Sequence, residues 1–205
     1  MKRILLCLLL IFSMVIFLPS CKDNTIEENP EFAKFNTMFD VTFSNYTITV
    51  DTTSKNGCVI NDKYVITTVD GVKTVSYRVE VLNTFNLDDE AITVPDSYKS
   101  VYEGTCEADK LTPASAIIPS TSASASFMNF DVPKFKFSYN YIDNDMIIPG
   151  KFMGKITSLD GFMGLNVEAS ESSFTLEYGA NAPISMQVTY VTNNGNTVVI
   201  TYTFN

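Results

Sequence analysis

Residues 186–204, MQVTYVTNNGNTVVITYTF, carry the strongest indication of fold class in this 205-residue chain. On both sides of Asn193-Asn194-Gly195, every second residue is apolar and the residues between are mostly polar. The apolar residues of this pattern are Met186, Val188, Tyr190, Val198, Ile200, Tyr202 and Phe204. An alternation of period two places one face of a strand against a core and the other face in water. This stretch therefore predicts an antiparallel β-hairpin with one buried face.

Further stretches show the same alternation, and they extend the prediction to most of the chain. They are residues 46–50, 64–69, 75–81 and 135–141. Asp70-Gly71 separates the second from the third and is typical of a tight hairpin, because that turn needs positive φ at both central residues. We expect a mainly antiparallel β domain, with a curved half-barrel as the first arrangement and a two-sheet β-sandwich as the second.

One short helix is predicted ahead of the strands. Asn29 is a good N-cap, Pro30 suits the first helical position, and Glu31 adds an acid to the first turn. Apolar residues then recur at helical spacing, at Phe32, Phe35, Met38 and Phe39. This face is expected to pack on the sheet.

The N-terminus has the layout of a secretory signal peptide. Lys2-Arg3 precedes an apolar run from Ile4 to Leu18, which at about 15 residues is shorter than the roughly 20 that a membrane-spanning helix needs. The run ends in Leu18-Pro19-Ser20-Cys21, which resembles the lipobox of bacterial lipoproteins. That resemblance implies cleavage before Cys21 and its modification by fatty acyl chains such as palmitate.

This resemblance gives the predicted organisation of the chain. Residues 1–20 are the signal peptide, 21–30 a polar tether from the lipidated Cys21, and 31–205 a single β-rich domain. The protein would then be anchored to a membrane of the bacterial cell envelope, outside the cytoplasm. Cys58 and Cys106 are the two cysteines left in the domain, and oxidation is the default there. A disulfide between them and two buried free thiols are both open.

Composition excludes several classes of function. The formal net charge is −9 and there is no His. Nucleic-acid binding depends on Lys and Arg at phosphates, so it is not expected. The lack of His removes the commonest general base and metal ligand, and we find no Gly-x-Ser-x-Gly or Ser-x-x-Lys motif. We therefore expect neither enzymatic activity, nor a cofactor, nor a bound metal.

A set of Phe and Met residues near glycines is the candidate ligand-binding site. Its members are Phe127, Met128, Met146, Phe152, Met153, Phe162 and Met163. Methionine adapts to irregular apolar guests, and glycine lets the backbone bend around them. Phe152-Met153-Gly154 recurs as Phe162-Met163-Gly164, which suits two strand ends beside turns. Residues 112–126, rich in Ser, Ala and Pro, are predicted to form a loop or a movable cover. The alternative is that these side chains form an ordinary β-sandwich edge.

The order of elements also resembles a known family. A lipid-bearing Cys, a polar tether and a short helix precede Asn45-Tyr46-Thr47-Ile48-Thr49-Val50 and then Asn61-Asp62-Lys63-Tyr64-Val65-Ile66. This resembles the periplasmic lipoprotein-carrier fold shared by LolA, LolB and the mycobacterial LppX type. The resemblance implies a curved sheet that holds acyl chains, so the first functional hypothesis is a lipoprotein that binds an apolar small molecule or lipid. The second is a structural or adhesive surface domain that binds a protein or a glycan.

Overall fold

The computed structural model of the chain describes residues 29–55, 57, 59–82, 100–111 and 130–205, with only the backbone described at 82, 144 and 145. The predicted signal peptide (1–20), most of the tether (21–30) and the predicted cover at 112–126 lie outside these residues. So do Cys21, Cys58, Phe127 and Met128.

Two helices, nine strands and one 3₁₀ turn at Ala108–Lys110 make up the secondary structure of the described residues. The helices are α1 (Pro30–Phe39) and α2 (Leu159–Met163). The strands are β1 (Asn45–Thr53), β2 (Val59–Val69), β3 (Val72–Leu82), β4 (Val101–Glu107), β5 (Ile142–Ile148), β6 (Lys151–Ile156), β7 (Ala169–Tyr178), β8 (Pro183–Thr192) and β9 (Thr197–Phe204). Neither helix has the length and apolarity needed to cross a bilayer.

The strands form one antiparallel sheet in the order β4-β3-β2-β1-β9-β8-β7-β6-β5. The chain steps outward from β1 to β4, resumes at β5 and steps back to β9, which pairs with β1 from Tyr46↔Phe204 to Thr53↔Thr197. Within the described residues β4 and β5 do not pair with each other, so the sheet is open. The prediction of a mainly antiparallel β domain is confirmed, and a single open sheet is consistent with the half-barrel. The two-sheet sandwich is not found among these strands.

The two hairpin turns predicted from sequence are present. Asp70 and Gly71 join β2 to β3 with φ of 51° and 79°. Gly195, in the turn between β8 and β9, has φ of 81°. Positive φ is tolerated best by Gly, Asn and Asp, which explains these residues at the turns.

Helix α1 begins as its sequence indicates. The side-chain Oδ1 of Asn29 accepts a hydrogen bond from the backbone N–H of Glu31 at 3.0 Å, and Pro30 occupies the first turn. The apolar face is buried against the sheet: the ring centroids of Phe35 and Phe152 lie 5.0 Å apart, and those of Phe39 and Phe204 5.8 Å apart. The predicted helix and its packing are confirmed.

The prediction of a strand at residues 135–141 is wrong. Residues 130–137 belong to none of the nine strands, yet Phe135 and Phe137 are buried. The backbone of this segment is hydrogen-bonded outside the sheet. The side chain of Asn36 accepts a hydrogen bond from the N–H of Phe137 at 2.8 Å and donates one to the carbonyl of Phe137 at 3.0 Å. The N–H of Lys136 donates to the carbonyl of Phe162 at 2.7 Å. Alternation marked an extended backbone correctly, but this segment lies across the sheet instead of within it.

The sheet has a buried face and an exposed face. In β1 the buried Tyr46, Ile48 and Val50 alternate with Thr47 and Thr49, and the register carries this division to the neighbouring strands. We call the side that bears Tyr46 the inner face and the side that bears Thr47 the outer face. Helix α1, the segment 130–137 and α2 pack on the inner face.

Candidate functional site

The five predicted ligand-binding residues that the structure describes do not lie together. Phe152, Phe162 and Met163 are buried on the inner side, at 0%, 0% and 5% exposure. Met146 and Met153 are direct cross-strand partners of β5 and β6, on the outer face, and Met146 is exposed. Sequence proximity to glycine therefore grouped side chains from opposite faces. Their contact with a ligand stays a prediction.

Phe152 and Phe162 belong to a cluster of aromatic rings from five elements. We call it the Phe cluster, and it consists of Phe32, Phe35, Phe39, Phe135, Phe137, Phe152, Phe162 and Phe174. Ring centroids are 4.8 Å apart for Phe162 and Phe174, 5.0 Å for Phe152 and Phe174, and 5.3 Å for Phe137 and Phe162. Such edge and tilted contacts add about 0.5–1.5 kcal/mol per pair beyond burial. A ligand at Phe152 or Phe162 would have to separate these rings.

The two Phe-Met-Gly copies have different structures, so the prediction of two strand ends is wrong for the second. Phe152-Met153-Gly154 lies within β6, whereas Phe162 and Met163 end α2. Gly164 caps α2 with φ of 70°, and its N–H donates to the carbonyl of Asp160 at 2.8 Å. The Ser158 side chain caps the start of α2 by accepting from the N–H of Gly161 at 3.0 Å. Cap residues on both sides explain the helix.

Three buried hydroxyls lie on the inner face of the central strands. We call Tyr46, Tyr190 and Tyr202 the inner tyrosines. Burial raises the pKa of Tyr190 to about 12. Burial also raises the pKa of Tyr202, and the other two inner tyrosines add to that shift. For Tyr46, burial raises the pKa and the charge of Asp131 adds a smaller contribution. All three therefore stay protonated at neutral pH, and Tyr46 donates its hydrogen bond to the backbone carbonyl of Phe130.

A buried carboxyl group lies on the inner face of β2. Asp62 is 2% exposed and is the one buried charged residue in the described part of the chain. The hydroxyl of Tyr64 donates to Oδ2 of Asp62 at 3.1 Å, and Tyr64 also contacts the Phe130 ring with centroids 4.9 Å apart. Asp62 is not among the site residues predicted from sequence. The signal was available, because an acid at an inward position of an alternating strand breaks the pattern.

The elements that the structure describes on the inner face do not contact all strands equally. Helix α1 contacts β6, β7 and β9 through Phe152, Tyr178 and Phe204. On β2 and β3, Ile60, Val79 and Val81 are buried, but they do not join the main core cluster. The inner face thus has two parts. The Phe cluster fills the side of β6 to β9, and the β2–β3 part combines buried aliphatic side chains and Asp62 with Tyr64, which itself belongs to the main core cluster.

The predicted disulfide is not supported. Cys106 is a half-buried free thiol on β4, opposite Val75, whereas Cys58 lies outside the described residues. Burial raises the pKa of the Cys106 thiol, and Asp109 and Glu107 add to the shift.

An apolar groove of about 470 Å³ opens beside the C-terminal half of α1. It is lined mainly by Met38, Val41, Phe43 and residues 180–183 of the turn between β7 and β8, with Lys34 and Thr37 at its edge. Among the described residues, no three His, Cys, Asp or Glu side chains group closely enough to hold a metal ion.

Comparison with known proteins adds little. No protein-family model and no curated protein matches the chain. Among solved structures, a de novo designed fluorescence-activating β-barrel aligns over 78% of this chain and 91% of its own, with 9% identity and a TM-score of 0.22. A similarity at that level does not bear on function.

Proposed function

We propose that this chain is a membrane-anchored lipoprotein of the bacterial envelope that binds an apolar ligand, such as an acyl chain, without enzymatic activity. The anchor is Cys21, at the end of the lipobox-like Leu18-Pro19-Ser20-Cys21. The ligand site is the β2–β3 part of the inner face.

The composition of the β2–β3 part is the observation that carries this proposal. Ligand sites for small molecules are mostly apolar walls with a few placed polar groups. Ile60, Val79 and Val81 supply the apolar wall, and the Asp62–Tyr64 pair supplies the polar groups. The side covered by the Phe cluster is filled with protein side chains that a ligand would have to separate.

The direct test is titration of the full chain with N-phenyl-1-naphthylamine, a neutral apolar dye whose fluorescence rises on binding. The dye is neutral, so the formal net charge of −9 does not repel it. Val79→Phe adds volume on the inner face of β3, whereas Val65→Phe makes the same change on the exposed outer face of β2. We expect saturable binding by the wild type and by Val65→Phe, and a large loss in Val79→Phe.

A second variant separates a blocked site from a damaged fold. Asp62→Asn keeps the shape of the side chain and removes its charge, so a folded variant with altered dye affinity places the dye near β2. Loss of dye binding in Val79→Phe counts only where circular dichroism and thermal unfolding show a native fold. The absence of saturable binding by folded, delipidated wild type would contradict the proposal.

The anchor has a test of its own. Cys21→Ala removes the thiol that the lipid would modify, so we expect an uncleaved or released protein. Mass spectrometry of the N-terminal peptide of the wild type should show acyl groups on Cys21. Unchanged processing and unchanged membrane association in Cys21→Ala would contradict the lipoprotein assignment.

A structural or adhesive domain that binds a protein or a glycan is the second candidate. The Phe cluster favours it, because rings that fill the inner face of β6 to β9 act as an ordinary core. This candidate predicts no dye binding and equal behaviour of Val79→Phe and Val65→Phe once both are folded.

A further inference from the structure

The exposed apolar side chains of the described residues concentrate at one end of the sheet. Among the described residues seven large apolar side chains are exposed, and five of them belong to this end: Val41, Val69, Val72, Ile148 and Ile184. We call these five residues the apolar rim. Monomeric soluble proteins scatter such residues, so their grouping on one surface indicates contact with an apolar partner.

The strand register shows that the rim residues share one end. Val69 and Val72 flank the β2–β3 turn, and Ile148 ends β5 beside the turn into β6. Ile184 lies at the start of β8, where β7 ends at Tyr178. The groove beside α1 joins Val41 to residues 180–183. The rim is therefore built from three turns and one loop at the same edge of the half-barrel.

The opposite end of the sheet has a different surface. Its β8–β9 turn is Asn193-Asn194-Gly195-Asn196, and the backbone N–H of Lys55 donates to the side chain of Asn196 at 3.1 Å. No exposed large apolar side chain of the described residues lies there. Turns of this polar kind are the usual solvent-facing connections, so the apolar turns are particular to the rim end.

Charges at the rim end occur mostly as pairs. Lys73 pairs with Asp131, and Lys151 pairs with Glu177 at 3.7 Å. Lys34 pairs with Glu31 at 3.7 Å and lies 5.1 Å from the centroid of the Tyr178 ring. A paired surface within an acidic chain does not attract an anionic partner by charge. The rim therefore suits a neutral apolar surface.

The chain enters the domain at this same end. Phe35 of α1 contacts Tyr178, the last residue of β7, with ring centroids 5.0 Å apart, and Lys34 lies over that ring. The eight residues from 22 to 29 that would join Cys21 to α1 reach at most about 28 Å. A lipid on Cys21 would thus hold α1, and with it the rim end, within that distance of the bilayer.

We propose that the apolar rim docks on the lipid bilayer that holds the anchor, so that the half-barrel stands end-on with the rim in the interfacial region. This rests on the proposed lipidation of Cys21. Apolar side chains at an interface add binding through buried apolar area, and the anchor keeps them at the surface. Because most charges at the rim end are paired and the exposed Asp70 in the β2–β3 turn is acidic, docking should not need anionic lipid, and it should occur on zwitterionic lipid and change little with salt.

The chain contains no Trp, so one introduced Trp reports on one position alone. Val72→Trp and Ile184→Trp place it at the rim, and Val65→Trp places it on the outer face at mid-strand as the matched control. The full-length acylated protein is reconstituted in phosphatidylcholine vesicles with or without bromine on the acyl chains, which quenches nearby Trp. We expect a blue shift and a clear loss of fluorescence at both rim positions, and neither at position 65.

The outcomes separate this inference from the proposed function. If Cys21 carries acyl groups but neither rim position is quenched, the docking proposal is wrong and the proposed lipid anchor is not affected. Quenching at position 65 equal to that at the rim would overturn the end-on orientation. An unmodified Cys21 would remove the premise of the docking and contradict the proposed anchor as well. Circular dichroism confirms the fold of each variant, and Val41→Trp replaces either rim variant that is not native.

Discussion

Replacement of Phe137 by alanine should destabilise the domain more than any single change on the outer face. Phe137 is 1% exposed, and its ring lies within 6.3 Å, between centroids, of six other phenylalanines. Three of these neighbours belong to α1, and the others are Phe152, Phe162 and Phe174. The residue therefore connects the helices to the sheet.

The magnitude follows from burial and ring contacts. A buried Phe→Ala change costs about 3–5 kcal/mol in free energy of unfolding, from lost transfer energy and the cavity left behind. Six lost ring contacts, each worth about 0.5–1.5 kcal/mol, place Phe137→Ala at the upper end of that range. The matched control is Phe43→Ala, since Phe43 is only partly buried and has ring contacts with Phe39 and Phe204. We expect about 1–2 kcal/mol there.

Urea unfolding followed by circular dichroism measures both changes under one condition. Total stabilities of about 5–15 kcal/mol leave room for the loss, and the milder Phe137→Leu serves if the alanine variant does not fold. Equal losses for Phe137→Ala and Phe43→Ala, or less than about 1.5 kcal/mol at Phe137, would refute the packing of segment 130–137 described above.

Three more predictions concern buried groups. The inner tyrosines have pKa values raised above the ordinary value of 10.0. Above that pH the unfolded chain loses protons that the folded chain keeps, so the free energy of unfolding should fall as pH rises. Unchanged urea midpoints between pH 9 and pH 11, each about one unit from that ordinary value, would contradict this. Cys106 should be a free and slow-reacting thiol, because burial raises its pKa. Recovery of a peptide that links Cys106 to another cysteine under non-reducing conditions would contradict this. Gly154→Ala should cost about 1–3 kcal/mol, since its Cβ would lie 2.6 Å from the Phe174 ring, whereas Gly179→Ala, 3.8 Å from its nearest atom, should be close to neutral.

The fold class could be predicted from sequence because its signals are local. Alternation at residues 186–204, the Asp70-Gly71 turn and the Asn29-Pro30 helix start each depend on neighbouring residues only. The path of segment 130–137 could not be predicted in that way. Its partners, Asn36 and Phe162, are distant in sequence, and an alternating pattern looks the same in a strand and in an extended segment across a sheet.

The candidate site was predicted less well than the fold, for a related reason. Flexible apolar side chains near glycine occur in cores, on edges and at ligand sites alike, so composition alone grouped the buried Phe152 with the outer-face Met153. The informative residue was Asp62, whose inward position follows directly from the alternation of β2. The apolar rim needed the structure, since it gathers four segments whose only relation is the register of the sheet.

Native mass spectrometry of the full-length protein extracted from the envelope tests the central claim most directly. A carrier should retain one apolar molecule, seen as a mass above that of the polypeptide with its covalent anchor, and Val79→Phe should lose this mass while Val65→Phe keeps it. Folded wild-type protein that carries its anchor and no further mass would contradict ligand binding on the inner face of β2 and β3.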